Sequence, residues 1–410
     1  MPTAHPDEFK LGSEVVERWP YPFYQAMRQL CPVYRFPDQS AYFLSKHADV
    51  LAALMRPNHF SSHRPTLGQG DPEFEAIAAE GYPEVPTLTT NDPPSHARYR
   101  RLISRSFKRP MIVRMEPHIR EIVNLLIDRF IDDGRAEFIG QFADLLPSYV
   151  IADLLGEPRE MQPQVKQWAI AITGAVSKII PREQALEYKR QFVDFQHHYA
   201  AEIERRRADP GDDLISEFVT ATGEDDEPLS TVEILDILRV IVNGGNETTA
   251  ALIGNAMYFL LREPRKLAEV RADHNLIPNM LEEAVRLDSP SQWLPRMIEG
   301  EPAEVRGVRI PVGSRVLMGW ASANHDEAVF PDPERFDIHR DTRAHLALGH
   351  GAHFCPGAAL ARAESRIAFE ELFRRLDDIR PAAAIEATRY TAQPIIRHLD
   401  RLPIEFTATG

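Results

Sequence analysis

The sequence predicts a mainly α-helical chain with a small β region, organised as one domain over residues 1–410. Three observations predict this. Apolar residues recur at helical spacing through most of residues 95–220, as in IVNLLIDRFIDD. Ser230 followed by Glu233 forms a capping-box pattern ahead of a long apolar run. Strand-like runs are few, short and bounded by Pro and Gly.

The elements follow in order. CPVYRF and AYFLSKHADV read as a strand-rich start, and the stretch from Ser61 to Pro94 as a long loop with a short helical piece. A loop that long inside a compact chain is usually functional. Helical patterns run from Ser95 to Leu155 and through most of 160–220. The helix that Ser230 opens runs to Arg262, stopping before Pro264. Another covers Ile277–Leu287. GVRIPVGSRVLMG reads as two strands joined by a Pro/Gly turn, and an alanine-rich helix begins just after Cys355, with Pro356 in its first position. Length alone suggests two or three domains, but no linker or composition shift marks a boundary.

Composition narrows the function. With 43% hydrophobic and 26% charged residues the chain is globular. Its net charge of −14, from 61 acidic and 47 basic residues, disfavours nucleic acid as the main partner, since a phosphate backbone needs a positive footprint. The two cysteines, Cys31 and Cys355, are far apart in unlike contexts, so a reducing compartment is expected rather than a disulfide framework. The polar N-terminus is no signal peptide, and no apolar run is long enough to span a membrane. A cytoplasmic protein is expected.

HLALGHGAHFCPGAALARAE carries the most chemistry. Gly349 and Gly351 permit tight turns, and Gly357 lets the backbone pass close to something flat. A thiolate at a helix N-terminus is favoured by the dipole and by free N–H groups, which also tune its donation to a metal. A small buried hydrophobe, or a nucleophile with a histidine base, are the other readings of Cys355. Neither accounts for the two glycines, His353 and the helix start together. In the long helix, the run IVNGGNETTA is a poor helical centre: each glycine costs about 1 kcal/mol relative to alanine, and Thr248 and Thr249 compete for backbone carbonyls. A local widening or kink that leaves a ligand pocket is expected, with Glu247 and Thr248 beside it as an acid–alcohol pair able to relay protons. Glu283 and Arg286, at i and i+3, can meet, and His96 and Arg100, at i and i+4, can grip a carboxylate.

In these motifs the chain resembles the cytochrome P-450 family, over residues 90 to 365 and in the family's order. The family's ligand loop, Phe-Gly-x-Gly-x-His/Arg-x-Cys-x-Gly, is matched from Leu348 to Gly357, with Leu348 in place of Phe. Its Ala/Gly-Gly-x-Asp/Glu-Thr is matched by Gly244–Thr248. Its Asp-Pro-Pro-x-His-x-x-x-Arg is matched by Asp92–Arg100, and its Glu-x-x-Arg by Glu283 and Arg286, with Arg335 of the Pro-x-Arg-Phe pattern completing a buried triad.

The resemblance implies a triangular, mostly α prism. It implies heme b with Cys355 as the axial iron ligand, lined by Gly244, Gly245, Leu348, Gly349 and Gly357. It assigns the propionates to His96, Arg100, Arg296 and His353, although the usual small residue two positions after Arg296 is Ile298. Thr248 and Glu247 serve dioxygen activation and proton delivery. Val242, Asn243, Gly244, Trp293, Leu294 and Pro394–Ile396, including Ile395, are expected to line a substrate pocket.

The reaction implied is hydroxylation of a hydrophobic small molecule (terpenoid, steroid, fatty acid or aromatic) with dioxygen. Two electrons come from a separate ferredoxin with its NAD(P)H-dependent reductase. Arg101, Arg105 and Arg109, at i, i+4 and i+8, read either as a solvated face or as a docking stripe for that acidic partner, with Arg362 and Arg366 extending it. A peroxide-driven relative, a non-catalytic heme sensor and a cysteine hydrolase are the rival classes.

Overall fold

In the computed structural model, which describes residues 5–10, 13–37, 41–63, 71–176, 180–221, 228–391 and 395–409, the long helix runs Thr231–Arg262. Its start is specified locally. The Ser230 hydroxyl accepts from the Glu233 N–H at 3.4 Å, and the Glu233 carboxylate accepts the Ser230 N–H at 2.8 Å. The same carboxylate takes Arg98 Nη1 at 2.6 Å and the Tyr99 hydroxyl at 2.8 Å, which fastens helix Ser95–Ser106 to the long helix. Burial alone would raise the Glu233 pKa, yet these donors hold it at about 2.

The centre of the long helix is not broken. Thr248 Oγ1 donates to Gly244 O and Asn246 Nδ2 to Val242 O, each at 2.6 Å, so these side chains back-bond without ending the helix. The two glycines at its centre divide the labour. A Cβ on Gly245 would lie 2.6 Å from Ile151 Cδ1 of helix Leu145–Leu154, so this glycine permits close helix packing. A Cβ on Gly244 would meet nothing within 4 Å, because that side is open.

Helix makes up 57% of the described residues. One large apolar cluster joins the long helix to helices Arg109–Asp128, Leu145–Leu154, Ile277–Leu287 and Ala358–Arg375. A five-stranded sheet stands beside it in the order Val33–Arg35, Ala41–Leu44, Arg315–Met318, Leu294–Ile298, Phe60–Ser61. All its pairs are antiparallel except Ala41–Leu44 with Arg315–Met318.

Three local expectations need correcting and one, the strand pair, is borne out and extended. HADV is not strand but the start of helix His47–Leu54, whose first turn is capped from a distance: Asp326 Oδ2 accepts the His47 N–H at 3.0 Å. The two strands around Pro311 exist but enter different sheets, since Val308–Ile310 pairs with Ala303–Val305 instead. Pro356 sits in a turn, and the cysteine helix starts at Ala358. Helix Ser95–Ser106 ends before Pro110, whose ring cannot continue the backbone ladder, so Arg109 opens a new helix and the basic stripe is interrupted. Among the described residues no helix is long and apolar enough to cross a membrane.

Candidate functional site

Cys355 ends a tightly wound loop. Gly349 (φ 72°) and Gly351 (φ 68°) take left-handed conformations that only glycine adopts cheaply. A Cβ on Gly351 would also press on the carbonyl of Leu54 at 3.2 Å. The Cys355 N–H donates to Leu348 O at 2.8 Å, closing the loop. Burial pushes the thiol pKa up. The N–H groups of Gly357 and Ala358 and the charges of Arg100 and Arg362 oppose that rise by favouring the thiolate.

A buried frame holds this loop. Glu283 and Arg286 are fully buried and doubly bonded, at 2.7 and 2.9 Å. The third member is not Arg335 but Arg340, whose Nε donates to Glu283 Oε1 at 3.0 Å. Phe336 and Ile338 are the buried residues of this segment, Arg335 is exposed, and only its carbonyl joins, accepting from Arg340 Nη2 at 3.2 Å. Arg286 also donates to Asn324 O at 2.8 Å, and Asn324 Oδ1 accepts the Leu346 N–H at 2.7 Å, two residues before Leu348. Glu282 adds a second tie, accepting from Arg362 at 2.6 and 2.8 Å and from His345 at 2.9 Å.

Above the loop lies a cavity of about 340 Å³ lined by Cys355, Leu348, Gly349, Gly357, His96, Arg100, Arg296 and His353 on one side. Gly244, Gly245, Glu247, Thr248, Asn243, Leu294, Ile395 and Ile396 also line it. Val242 and Trp293 do not. Val242 is fully buried in the helical core, and Trp293 packs into an aromatic cluster with Phe9 and Phe43. Pro394 lies outside the described residues.

The His96 and His353 rings meet at a 45° tilt with centroids 4.4 Å apart. Burial, then the neighbouring His353 and Arg100, push the His96 pKa down to about 4. His353 Nε2 is engaged, 3.0 Å from both Asp92 Oδ1 and Ser62 Oγ. Asp92 Oδ2 accepts the Ser61 hydroxyl at 2.7 Å and the Ser62 N–H at 2.8 Å. Burial would raise the Asp92 pKa, but these partners hold it at about 2. Half-buried Arg100 has no carboxylate partner among the described residues.

On the long helix, burial raises Glu247 to about 7, with Asp144 adding to the rise and His398, Thr173 and Lys166 opposing it. Its Oε2 is buried without a hydrogen-bond partner. Asp144 is itself clasped by His398 and Lys166, each at 2.9 Å. Sequence reasoning missed this trio, which is drawn from three separate segments. It also missed Glu364, a fully buried carboxyl on the cysteine helix that lines the cavity and whose pKa burial raises well above the ordinary value.

The cytochrome P450 family pattern matches residues 159–380. The vitamin D(3) 25-hydroxylase of Pseudonocardia autotrophica is 32% identical over 407 residues, covering 98% of both chains. The chain belongs to the cytochrome P450 family. The P450 is also 34% identical to the 6-deoxyerythronolide B hydroxylase of Saccharopolyspora erythraea, over 94% of this chain and 95% of that one. Its fold superposes on cytochrome P450 CYP109Q5 from Chondromyces apiculatus with a TM-score of 0.86 at 32% identity, covering 98% of each. P450s are heme-thiolate monooxygenases that use dioxygen and bind heme b through a cysteine thiolate. The cavity fits such a group. It offers a half-buried thiol, the Arg100 guanidinium for a carboxylate, and Gly244 and Gly357, where an added Cβ would meet nothing within 4 Å.

Proposed function

We propose that this P450 hydroxylates a hydrophobic small molecule, drawing two electrons from a separate ferredoxin-type partner. One observation carries the reading: a single cavity joins the half-buried thiol of Cys355 to a carboxyl at position 247 whose pKa is about 7. Cys355 would hold the heme iron through its thiolate. Arg100 and Arg296, with His96 and His353, would pair with the heme carboxylates, and Gly244, Gly245, Leu348, Gly349 and Gly357 would leave room for the ring. When bound, heme supplies the iron that activates dioxygen for insertion of one oxygen atom into a C–H bond.

The chain's own groups supply orientation and protons. Glu247 titrates near neutrality, so its carboxyl can both release and regain a proton at working pH. Thr248 keeps its hydroxyl on Gly244 O, one turn back along the helix, beside the space Gly244 leaves open. Leu294, Ile395 and Ile396 give the chamber an apolar wall that favours a hydrophobic substrate. The vitamin D(3) and 6-deoxyerythronolide B hydroxylases, named for large, mostly apolar molecules, support that class.

Exposed Arg101, Arg105 and Arg109 offer an acidic redox protein a positive approach. Arg362 and Arg366 add little, because Glu282, Glu116 and Glu370 already pair with them. The test is spectroscopic. Reduced holoenzyme under carbon monoxide is expected to show the red-shifted Soret band of a thiolate-ligated heme, and Cys355→Ser to lose that band together with all dioxygen-dependent turnover. An unshifted band in the wild type would sink the reading.

A further inference from the structure

The long helix carries one more polar group into the cavity. Arg239, Asn243 and Glu247 stand at i, i+4 and i+8, so they share a face, and all three line the cavity. Arg239 is held rigidly. Its Nε and Nη2 both donate to Asp236 Oδ1, at 2.8 and 2.6 Å, while Asp236 Oδ2 accepts the Thr87 hydroxyl. Both charged side chains are nearly buried, Arg239 at 12% and Asp236 at 4% exposure. Arg239 Nη1 has no acceptor among the described residues. Asn243 is braced as well, its Oδ1 against the Thr173 hydroxyl.

A donor fixed in place by two partners, lining the cavity and without an acceptor of its own among the described residues, is preorganised to pair with an oxygen of a ligand. Asn243 and Glu247 are the polar neighbours on the same face, whereas Leu88, Val240, Leu294, Ile395 and Ile396 share the lining and offer no acceptor side chain. Asp236 offsets the charge of Arg239, so the site asks for an acceptor oxygen and does not require an anion.

We propose that Arg239, positioned by Asp236 and Thr87, is a specificity-determining residue that anchors an acceptor oxygen of the substrate remote from the carbon oxidised. The substrate is therefore amphipathic, carrying a carbonyl, ester or carboxylate oxygen at one end of an apolar body. Nine residues separate Arg239 from Thr248, roughly 13 Å along the helix axis. The anchored oxygen and the reacting carbon lie on the order of 10 Å apart by that measure.

This inference rests on the cavity being the substrate chamber of a P450, and the test separates the two. Decane, methyl decanoate and decanoate, matched in chain and differing in oxygens, are titrated into ferric holoenzyme while the heme spectrum is followed. The wild type is expected to bind one or both oxygenated probes at least about tenfold more tightly than decane, the scale of one hydrogen bond to a charged donor. Arg239→Leu should bring those probes to within about twofold of decane and leave the decane constant unchanged. The double variant Asp236→Asn/Arg239→Leu, which leaves no stranded buried carboxylate, should behave alike. Preference for decanoate alone identifies an anionic acceptor, and preference for both probes a neutral one; either supports the anchor. Equal affinity for all three probes, no spectral response to any, or a preference that survives in both variants overturns it. A wild type without the thiolate carbon monoxide band refutes the P450 reading instead.

Discussion

The buried frame under the ligand loop and the cavity face of the long helix handle polar groups in opposite ways. On the sulfur side the polar atoms of the frame are nearly all used: Glu283 accepts from Arg286, from Arg340 and from the Asp337 N–H, and Arg286 also reaches two backbone carbonyls. On the long-helix side polar atoms are left over, namely Glu247 Oε2 and Arg239 Nη1. A saturated network fixes geometry, while an unsaturated one stores affinity for protons and ligands. The ligand loop needs the first property and the reaction chamber the second.

The comparison can be broken most violently in the frame. Arg286→Ala strands the buried Glu283 carboxylate and is expected to cost about 3–5 kcal/mol in urea unfolding. Arg340→Ala, which removes one of three donors, should cost about 1–3 kcal/mol, and exposed Arg335→Ala less than about 0.5 kcal/mol. An Arg335 effect equal to that of Arg340 would contradict the triad described above.

Glu247 gives the opposite sign on the long helix. Its folded pKa, about 7, lies above the ordinary 4.5, so the folded state holds this proton more tightly than the unfolded one. That stability is fully present below the unfolded value and is lost as pH rises through 7. The shift amounts to about 3 kcal/mol. Glu247→Gln should therefore match the wild type near pH 4.5 and gain up to about 3 kcal/mol over it at pH 8. Its dioxygen-dependent turnover should meanwhile fall about a hundredfold. Parallel stability curves for the two proteins would refute the raised pKa.

The smallest effect sharpens the contrast within one helix. Gly244→Ala should stabilise the fold by about 1 kcal/mol through helix propensity. Gly245→Ala should lose about 1–2 kcal/mol by overpacking against Ile151. Thermal unfolding of the two variants should move in opposite directions.

Local signals in the sequence sufficed where structure is set locally. The capping box of Ser230 and Glu233, the helix Ile277–Leu287 and the glycine turns before Cys355 each depend on residues a few positions apart. Errors came where distant segments decide. Arg340 outcompetes Arg335 because burial of Phe336 and Ile338 orients that loop, and His47 is helical because Asp326 caps it. Val242 and Trp293 were assigned to the pocket by position in a motif, but each points its bulk into a different core cluster. Arg239 was within reach of sequence reasoning, since polar residues at i, i+4 and i+8 of an apolar helix form a stripe that solvation alone does not explain. The Asp144, His398 and Lys166 cluster beside Glu247 was not, because nothing local joins those three positions.

Asp92 joins two distant segments. One carboxylate oxygen holds Ser61 and Ser62, at the end of a sheet strand, and the other holds His353 two positions before the sulfur. A single acid thus rivets the edge of the sheet to the ligand loop. Neither can drift in evolution without the other feeling it, so replacing this residue would demand compensating changes on both sides at once.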